Sequence, residues 1–348
     1  MRFFPDLIRN LLDDGHQVDI ATNQSSRPVP DCYKEWGCRI HALSCARTPF
    51  SSGNIKAVKE IRKIVSENGY DIVHCHTPVA AACTRIACRG LRKRNGTRVI
   101  YTAHGFHFYN GAPFVNWLVY YPMEWICSRW TDTLITINTE DYRRAKKRFR
   151  AKETIYIPGV GIDTEKFGAE HDGKRIRDEF GISGYMLLSV GEMNENKNHE
   201  TVIRALENKR DLTYVIAGPG KLADRLAGLA KEKNVKLVLP GLRTDIMDFY
   251  GAADAFILPS FREGLNVSLM EAMACGLPCL CGRIRGNTDL IDESGGYLFD
   301  PSDPGEIRSC IEKVMKAPEG MGDYNRNKIR KFDIKAVIEA MRKTYGID

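Results

Sequence analysis

The chain has 348 residues, enough for two domains of ordinary size. Hydrophobic residues make up 43% and charged residues 27%, the balance of a soluble globular protein, and no apolar run reaches the roughly 18 residues needed to span a bilayer. The net charge of +7 favours anionic partners (nucleoside diphosphates, acidic lipid surfaces or nucleic acid) without choosing among them.

The start, Met1 to Asp6, has no signal-peptide pattern, because polar residues interrupt each apolar run, so a cytoplasmic location is expected. It reads as a helix with Phe4, Leu7, Ile8, Leu11 and Leu12 on its apolar face. Strands are expected at 17–22, 39–43, 72–76, 99–104, 133–138 and 154–158, and again at 186–190, 213–217, 236–239, 255–258, 278–281 and 296–299. Most are short and continuously apolar, as in parallel sheets buried on both faces. Helical patterns such as 55–66, 222–233 and 304–316 separate them, which predicts an α/β chain with doubly wound parallel sheets.

The alternation pauses between 159 and 183, a polar stretch rich in glycine that reads as a linker. The expected division is residues 1–160, a linker at 161–183, a second domain at 184–322, and C-terminal helices in 323–348 that return to the first domain. A doubly wound domain normally begins with a strand that lies centrally in the order 3-2-1-4-5-6. Here the pattern begins with a helix. The expectation is that Met1 is an internal methionine and that the first strand of the N-terminal domain is missing.

The eleven cysteines include no CxxC pair and read as reduced core residues. Cys275, Cys279 and Cys281 form the densest group, but their spacing fits no common zinc site.

The most informative segment runs from Pro259 through Glu263-Gly264-Leu265-Asn266-Val267-Ser268 and Glu271 to Gly276-Leu277-Pro278. It begins where a buried strand ends. Asn266 is a favourable N-cap, Val267, Met270 and Ala274 recur at helical spacing, and Gly276 closes the helix. Open α/β sheets bind ligands at the carboxyl ends of their strands, and a helix N-terminus there offers N–H groups to an anion. A diphosphate at that point would have Glu263 on one side, able to accept from sugar hydroxyls, and Glu271 on the other, able to accept from ribose hydroxyls. Either glutamate alone reads as a solvated surface residue; together, in this setting, they read as a site.

At these residues the chain resembles the retaining glycosyltransferases of family 4, which have the GT-B fold of two Rossmann-like domains facing across a cleft. The family's hallmark is a pair of glutamates separated by seven residues, as Glu263 and Glu271 are. Supporting pieces are Val190-Gly191 through Lys197, Ala217-Gly218-Pro219-Gly220, Pro240-Gly241-Leu242-Arg243-Thr244-Asp245 and Ile157-Pro158-Gly159 through Phe167. Tyr101-Thr102-Ala103-His104-Gly105-Phe106-His107 resembles the branch that builds capsular or extracellular polysaccharide. The resemblance implies that Glu263 and His104 serve the reacting sugar and that Glu271 holds the ribose. Gly264, Leu265, Asn266, Val267 and Ser268 would hold sugar and phosphate. Gly191, Gly218, Gly220, Leu242 and Arg243 would border the nucleotide, and Lys197 would neutralise the diphosphate. No cofactor or metal is expected. The donor would be a nucleotide sugar, more in keeping with UDP than GDP. The acceptor would be a saccharide or lipid-diphosphate-linked saccharide, and nucleic acid is not expected as a partner.

The chain departs from that pattern at Glu192, where relatives often carry an arginine as a second diphosphate cation. Either Arg283 or Arg285 substitutes, or Glu192 points away. His104 could also be a strand-end histidine bonded to backbone. His74 and His76 form an HxH on one strand face, with no third metal ligand evident. Residues 106–130 are dense in aromatics, and basic runs lie close in sequence, at Arg92-Lys93-Arg94 with Arg98 and at Arg143-Arg144 with Lys146-Lys147-Arg148. Aromatics with cations suit peripheral contact with an anionic membrane; core aromatics beside a solvated basic helix is the other reading. Two further alternatives stay open: a catalytically impaired sugar-nucleotide-binding protein, and a sugar-nucleotide epimerase of the same fold.

Overall fold

The structure, a computed structural model, describes residues 4–25, 28–316 and 319–347. It has two compact units, one formed by Met1–Gly161 with Ile334–Asp348, the other by Ile162–Asp333.

The first unit contains β1 (Ile20–Thr22), β2 (Ile40–Ala42), β3 (Ile72–His76), β4 (Arg98–Ala103), β5 (Thr133–Thr136) and β6 (Glu153–Tyr156). All its pairings are parallel, but they form two sheets, β1-β2 and β3-β4-β5-β6. The break falls between β1 and β3, where the expected order places its first strand. Side chains cross it: Tyr70, leading into β3, donates its hydroxyl to Asp19, leading into β1. The opening helix, Pro5–Asp13, puts Leu7 and Leu11 against Ile100, Ile135 and Ile157 of this unit, together with Val337 and Met341 from the helix Ile334–Tyr345. The guanidinium of Arg98 donates to the carbonyls of Tyr345 (2.9 Å) and Thr344 (2.7 Å), satisfying that helix's C-terminal acceptors. Met1–Phe3, on which the expected reading of Met1 bears, lie outside the described residues.

The second unit contains β7 (Tyr185–Val190), β8 (Leu212–Ala217), β9 (Lys236–Gly241), β10 (Ala255–Leu258), β11 (Cys279–Gly282) and β12 (Gly296–Phe299) in one parallel sheet, ordered β12-β11-β10-β7-β8-β9. The four residues of β10 and of β11 and all six of β8 are buried, as a sheet covered on both faces requires. The chain winds outward from β7 in one direction through β8 and β9, and in the other through β10 to β12. The loops after β7 and β10 therefore diverge at the carboxyl edge of the sheet, the switch point where such sheets bind ligands.

Two sequence-based expectations are corrected. The stretch 161–183 is not an unstructured linker: it forms the helices Thr164–Gly168 and Gly173–Phe180, and Ile176 and Ile182 are buried in the second unit's core. Three residues of that polar stretch are helix caps. Asp163 accepts from the backbone N–H of Lys166, Asp172 from that of Arg175, and Gly181 closes the second helix in the left-handed conformation (φ 62°). Nor do residues 323–348 move as one block. The helix Met321–Ile329 belongs to the second unit, and only Ile334–Tyr345 belongs to the first. Among the described residues, no helix is long and apolar enough to cross a membrane.

Candidate active site

The loop from Pro259 to Asn266 connects β10 to the helix Val267–Ala274. Asn266 starts that helix from an extended conformation, with its Oδ1 accepting from Leu269 N at 3.1 Å. The N–H groups of Val267 and Ser268 are left without an intrahelical partner, as at any helix start. The Ser268 hydroxyl lies 2.9 Å from the carbonyl oxygen of Val190, which fastens the helix start to the end of β7.

Glycines shape the loops after β7 and β8. A Cβ on Gly218 (φ 156°) would sit 2.0 Å from the carbonyl oxygen of Gly191, and one on Gly220 would sit 2.4 Å from that of Met193. Only hydrogen at both positions lets the two loops touch. Beyond Gly191 the chain makes a single tight turn, Glu195–Lys197, started by Asn194. Asn198 follows in the left-handed conformation (φ 54°) and donates its amide to the carbonyls of Pro259 (3.1 Å) and Pro301 (2.7 Å). Phe261 N donates to Asn196 O (2.9 Å), and the Asn196 amide donates to Arg262 O (3.0 Å).

This lacing brings the ammonium of Lys197 to 2.8 Å from Oε1 of Glu263, with side chains only 16% and 15% exposed. The guanidinium Nε of Arg285 donates to the Glu263 carbonyl at 3.2 Å. Gly264 and Leu265 complete the loop, and the Gly264 carbonyl packs so closely on Gly286 that a Cβ there would lie 2.0 Å away.

Glu271 lies one turn into the helix and is largely buried. Burial raises its pKa above the usual carboxyl value, opposed by a hydrogen bond from the Tyr250 hydroxyl (2.7 Å to Oε2) and by the more distant charge of Lys166.

The remaining expected residues divide. Leu242 stands 71% exposed after β9. The guanidinium of Arg243 is bound to Glu179 (2.8 Å) and Asp245 (2.7 Å) and lies 5.4 Å from the ring centre of Phe249, so its charge is already engaged. Glu192 is exposed. Of its two suggested substitutes, Arg283 is tied to Glu306 (2.7 Å), while Arg285 reaches the backbone of Glu263 itself.

His104 belongs to the first unit, just beyond β4. Its Nε2 is 3.2 Å from Nδ1 of His76, and burial lowers its pKa to about 4. The HxH pair is committed to protein partners. His74 holds Tyr345 Oη (2.7 Å) and Thr102 Oγ1 (2.8 Å) through its two ring nitrogens, and His76 holds His104. All eleven cysteines are free, and among the described residues no three His, Cys, Asp or Glu side chains cluster so as to hold a metal ion.

Sequence reasoning missed Tyr250, whose spacing on the helix Ile246–Ala252 marks it only as a core residue, and the two asparagines, Asn196 and Asn198, that hold the loops together. An asparagine ahead of a helix start is a turn signal; its cross-loop partner is not legible.

Known proteins are similar to this chain in sequence and fold. The profile "Glycosyltransferase Family 4" matches residues 2–166, and "Glycosyl transferases group 1" matches residues 174–331. The putative glycosyltransferase EpsD of Bacillus subtilis (strain 168) is 35% identical over 95% of this chain and 89% of its own length. The Escherichia coli UDP-Gal:alpha-D-GlcNAc-diphosphoundecaprenol alpha-1,3-galactosyltransferase is 29% identical, covering 84% of this chain and 81% of that protein. In fold, the chain is similar to HepE of Anabaena solved with UDP (TM-score 0.77, 17% identity, 95% of this chain and 100% of that one). With two Rossmann-like units of the GT-B type and this similarity along nearly its whole length, the chain belongs to glycosyltransferase family 4.

Proposed function

We propose that this glycosyltransferase moves a hexosyl group from a uridine diphosphate sugar, with retention at the anomeric carbon, to a saccharide or lipid-diphosphate-linked saccharide. The product would be surface polysaccharide, and the reaction would take place at the cytoplasmic face of the membrane. The observation that carries this reading is the convergence of Lys197 and Glu263 beside a helix start whose first N–H groups have no intrahelical partner, with Glu271 one turn behind. The E. coli relative's name pairs a UDP donor with a diphosphoundecaprenol acceptor, and HepE was solved with UDP, which supports both halves.

The donor diphosphate would lie over the N–H groups of Val267 and Ser268, with Lys197 leaving Glu263 to neutralise it. Glu263 would then accept from hydroxyls of the sugar, and Glu271 from the ribose diol. The contact between Gly191 and Gly218 would let the nucleotide approach the backbone, and Leu242 would offer it an apolar surface. As the glycosidic bond breaks, negative charge gathers on the diphosphate; the fixed N–H dipoles and the ammonium lower the barrier because they need no reorganisation. His104, uncharged near neutral pH, would hydrogen-bond the sugar rather than act as a cation. Cations and dipoles of the chain itself would take the place of a metal.

The test is UDP release from a panel of UDP sugars with and without a lipid-diphosphate saccharide, with the product anomer read by NMR. Acceptor-dependent release with retained configuration is expected. Binding of UDP without turnover would instead favour an impaired binding protein, and conversion without acceptor an epimerase.

A further inference from the structure

The helix Phe114–Ser128 of the first unit has an unusual surface. Phe114, Val115, Leu118, Pro122 and Ile126 are all exposed, Phe114 at 74%. At 3.6 residues per turn these five fall within about 120° of the helix circumference, so they form one stripe rather than scattered apolar residues. The helix carries a single charged side chain, Glu124, and it points the other way. Glu124 is buried, pairs with the equally buried Arg85 at 2.8 Å, and accepts from the Tyr101 hydroxyl at 3.0 Å. That ion pair fixes the rotation of the helix and turns the apolar stripe outward.

Cations rim the C-terminal end of the stripe. Arg129 and Arg150 lie 3.7 and 5.3 Å from the ring centre of Trp125, and exposed Arg89 lies 5.8 Å from that of Trp130. The neighbouring helix Thr139–Arg148, joined through Arg144 over Trp117 (5.1 Å), adds exposed Lys146, Lys147 and Arg148. By contrast, Arg92, Arg98 and Arg144 from the basic runs are held by protein partners.

We infer that the helix Phe114–Ser128 lies in the surface of an anionic phospholipid bilayer, its stripe among the acyl chains and its rim of arginines and lysines on the headgroups. At fifteen residues the helix is too short to span a bilayer, and an uncharged outer face edged by cations suits the interface. The inference deepens the lipid-linked-acceptor reading above and rests on it.

The test is co-sedimentation with vesicles of phosphatidylcholine alone and of phosphatidylcholine with phosphatidylglycerol, at low and high salt. Wild type should pellet with the anionic vesicles at low salt, and salt or neutral lipid should weaken this. The double variant Leu118→Glu, Ile126→Glu should bind about tenfold more weakly while UDP affinity and transfer to a water-soluble acceptor stay unchanged. Failure of those two activities in the wild type would count against the proposed reaction, whereas changed vesicle binding alone bears on the helix, so the two failures are distinguishable. Should the variant not fold, wild-type tryptophan emission should still be quenched by brominated anionic lipid. Absence of quenching, equal pelleting with neutral vesicles, or full binding by the folded variant would overturn the inference. So would a dimer that the variant dissociates while wild type ignores vesicles.

Discussion

The Nζ of Lys197 lies 2.8 Å from Oε1 of Glu263, in a contact that joins the loops after two strands adjacent in the sheet but 66 residues apart for this pair. In the proposed reaction the donor would separate the pair, drawing the ammonium to its diphosphate and the carboxylate to its sugar. Glu263→Gln keeps the shape and one acceptor but loses the charge, so the fold and UDP affinity should survive while turnover falls roughly 100-fold or more, as for other preorganised electrostatic groups. Lys197→Ala should weaken UDP binding as well, since it removes the diphosphate's cation and strands a half-buried carboxylate. Calorimetric titration beside a transfer assay separates the two. Unimpaired turnover by Glu263→Gln would remove the assignment.

Glu271 makes a prediction of opposite sign for stability and binding. Its pKa is raised by burial, so the folded protein holds this proton more tightly than the unfolded chain. Stability from this group is therefore present at acid pH and declines as pH climbs through the raised value. Glu271→Gln relieves that cost. The free protein should melt at the same temperature or higher near neutral pH, while UDP binds about tenfold or more weakly through loss of hydrogen bonds to a charged acceptor. A lower melting temperature with unchanged affinity would make Glu271 a purely structural partner of Tyr250.

A pair of glycines isolates the loop contact. Gly218→Ala places a methyl 2.0 Å from Gly191 O on a backbone at φ 156°, so the loops must part; a loss of roughly 2–4 kcal/mol and of most UDP affinity is expected. Gly228 sits in the helix Ala223–Glu232 with nothing within 4 Å of its would-be Cβ, so Gly228→Ala should stabilise by up to about 1 kcal/mol and leave binding alone. Thermal melts with and without UDP read both.

Most of the twelve strands among the described residues were legible because they are short apolar runs bounded by polar residues, and the Asn266 helix start because its capping chemistry is local. What escaped was of two kinds. Asp163, Asp172 and Gly181 read as a loop because capping residues and linker residues are the same amino acids; only the burial of Ile176 separates the cases. The pairing of Arg243 with Glu179 was not legible either, because the two are far apart in sequence and no spacing rule joins them. Tyr250 beneath Glu271 escaped for the same reason.

Three buried histidines of the first unit, His74, His76 and His104, predict acid sensitivity. Burial holds His74 near pKa 3, His104 near 4 and His76 well below its ordinary value. All are neutral in the folded unit where an unfolded chain would protonate them, at about 6.5. Their contribution is therefore intact above about pH 6.5, is lost as pH falls from there toward 4 and then 3, and levels off below, where the folded histidines protonate too. At pH 5 His74 and His104 should each cost about 2 kcal/mol, and His76 should act in the same direction. Every tryptophan (Trp36, Trp117, Trp125 and Trp130) lies in this unit, so indole emission during urea unfolding reports on it and not on the other. The midpoint should drop steadily between pH 7 and pH 5. His76→Asn should lower it at every pH but flatten its slope, because one proton fewer is taken up on unfolding. A variant with the wild-type slope would mean that His76 is protonated to the same extent in the folded and unfolded chain, and that its contact with His104 does not hold it neutral.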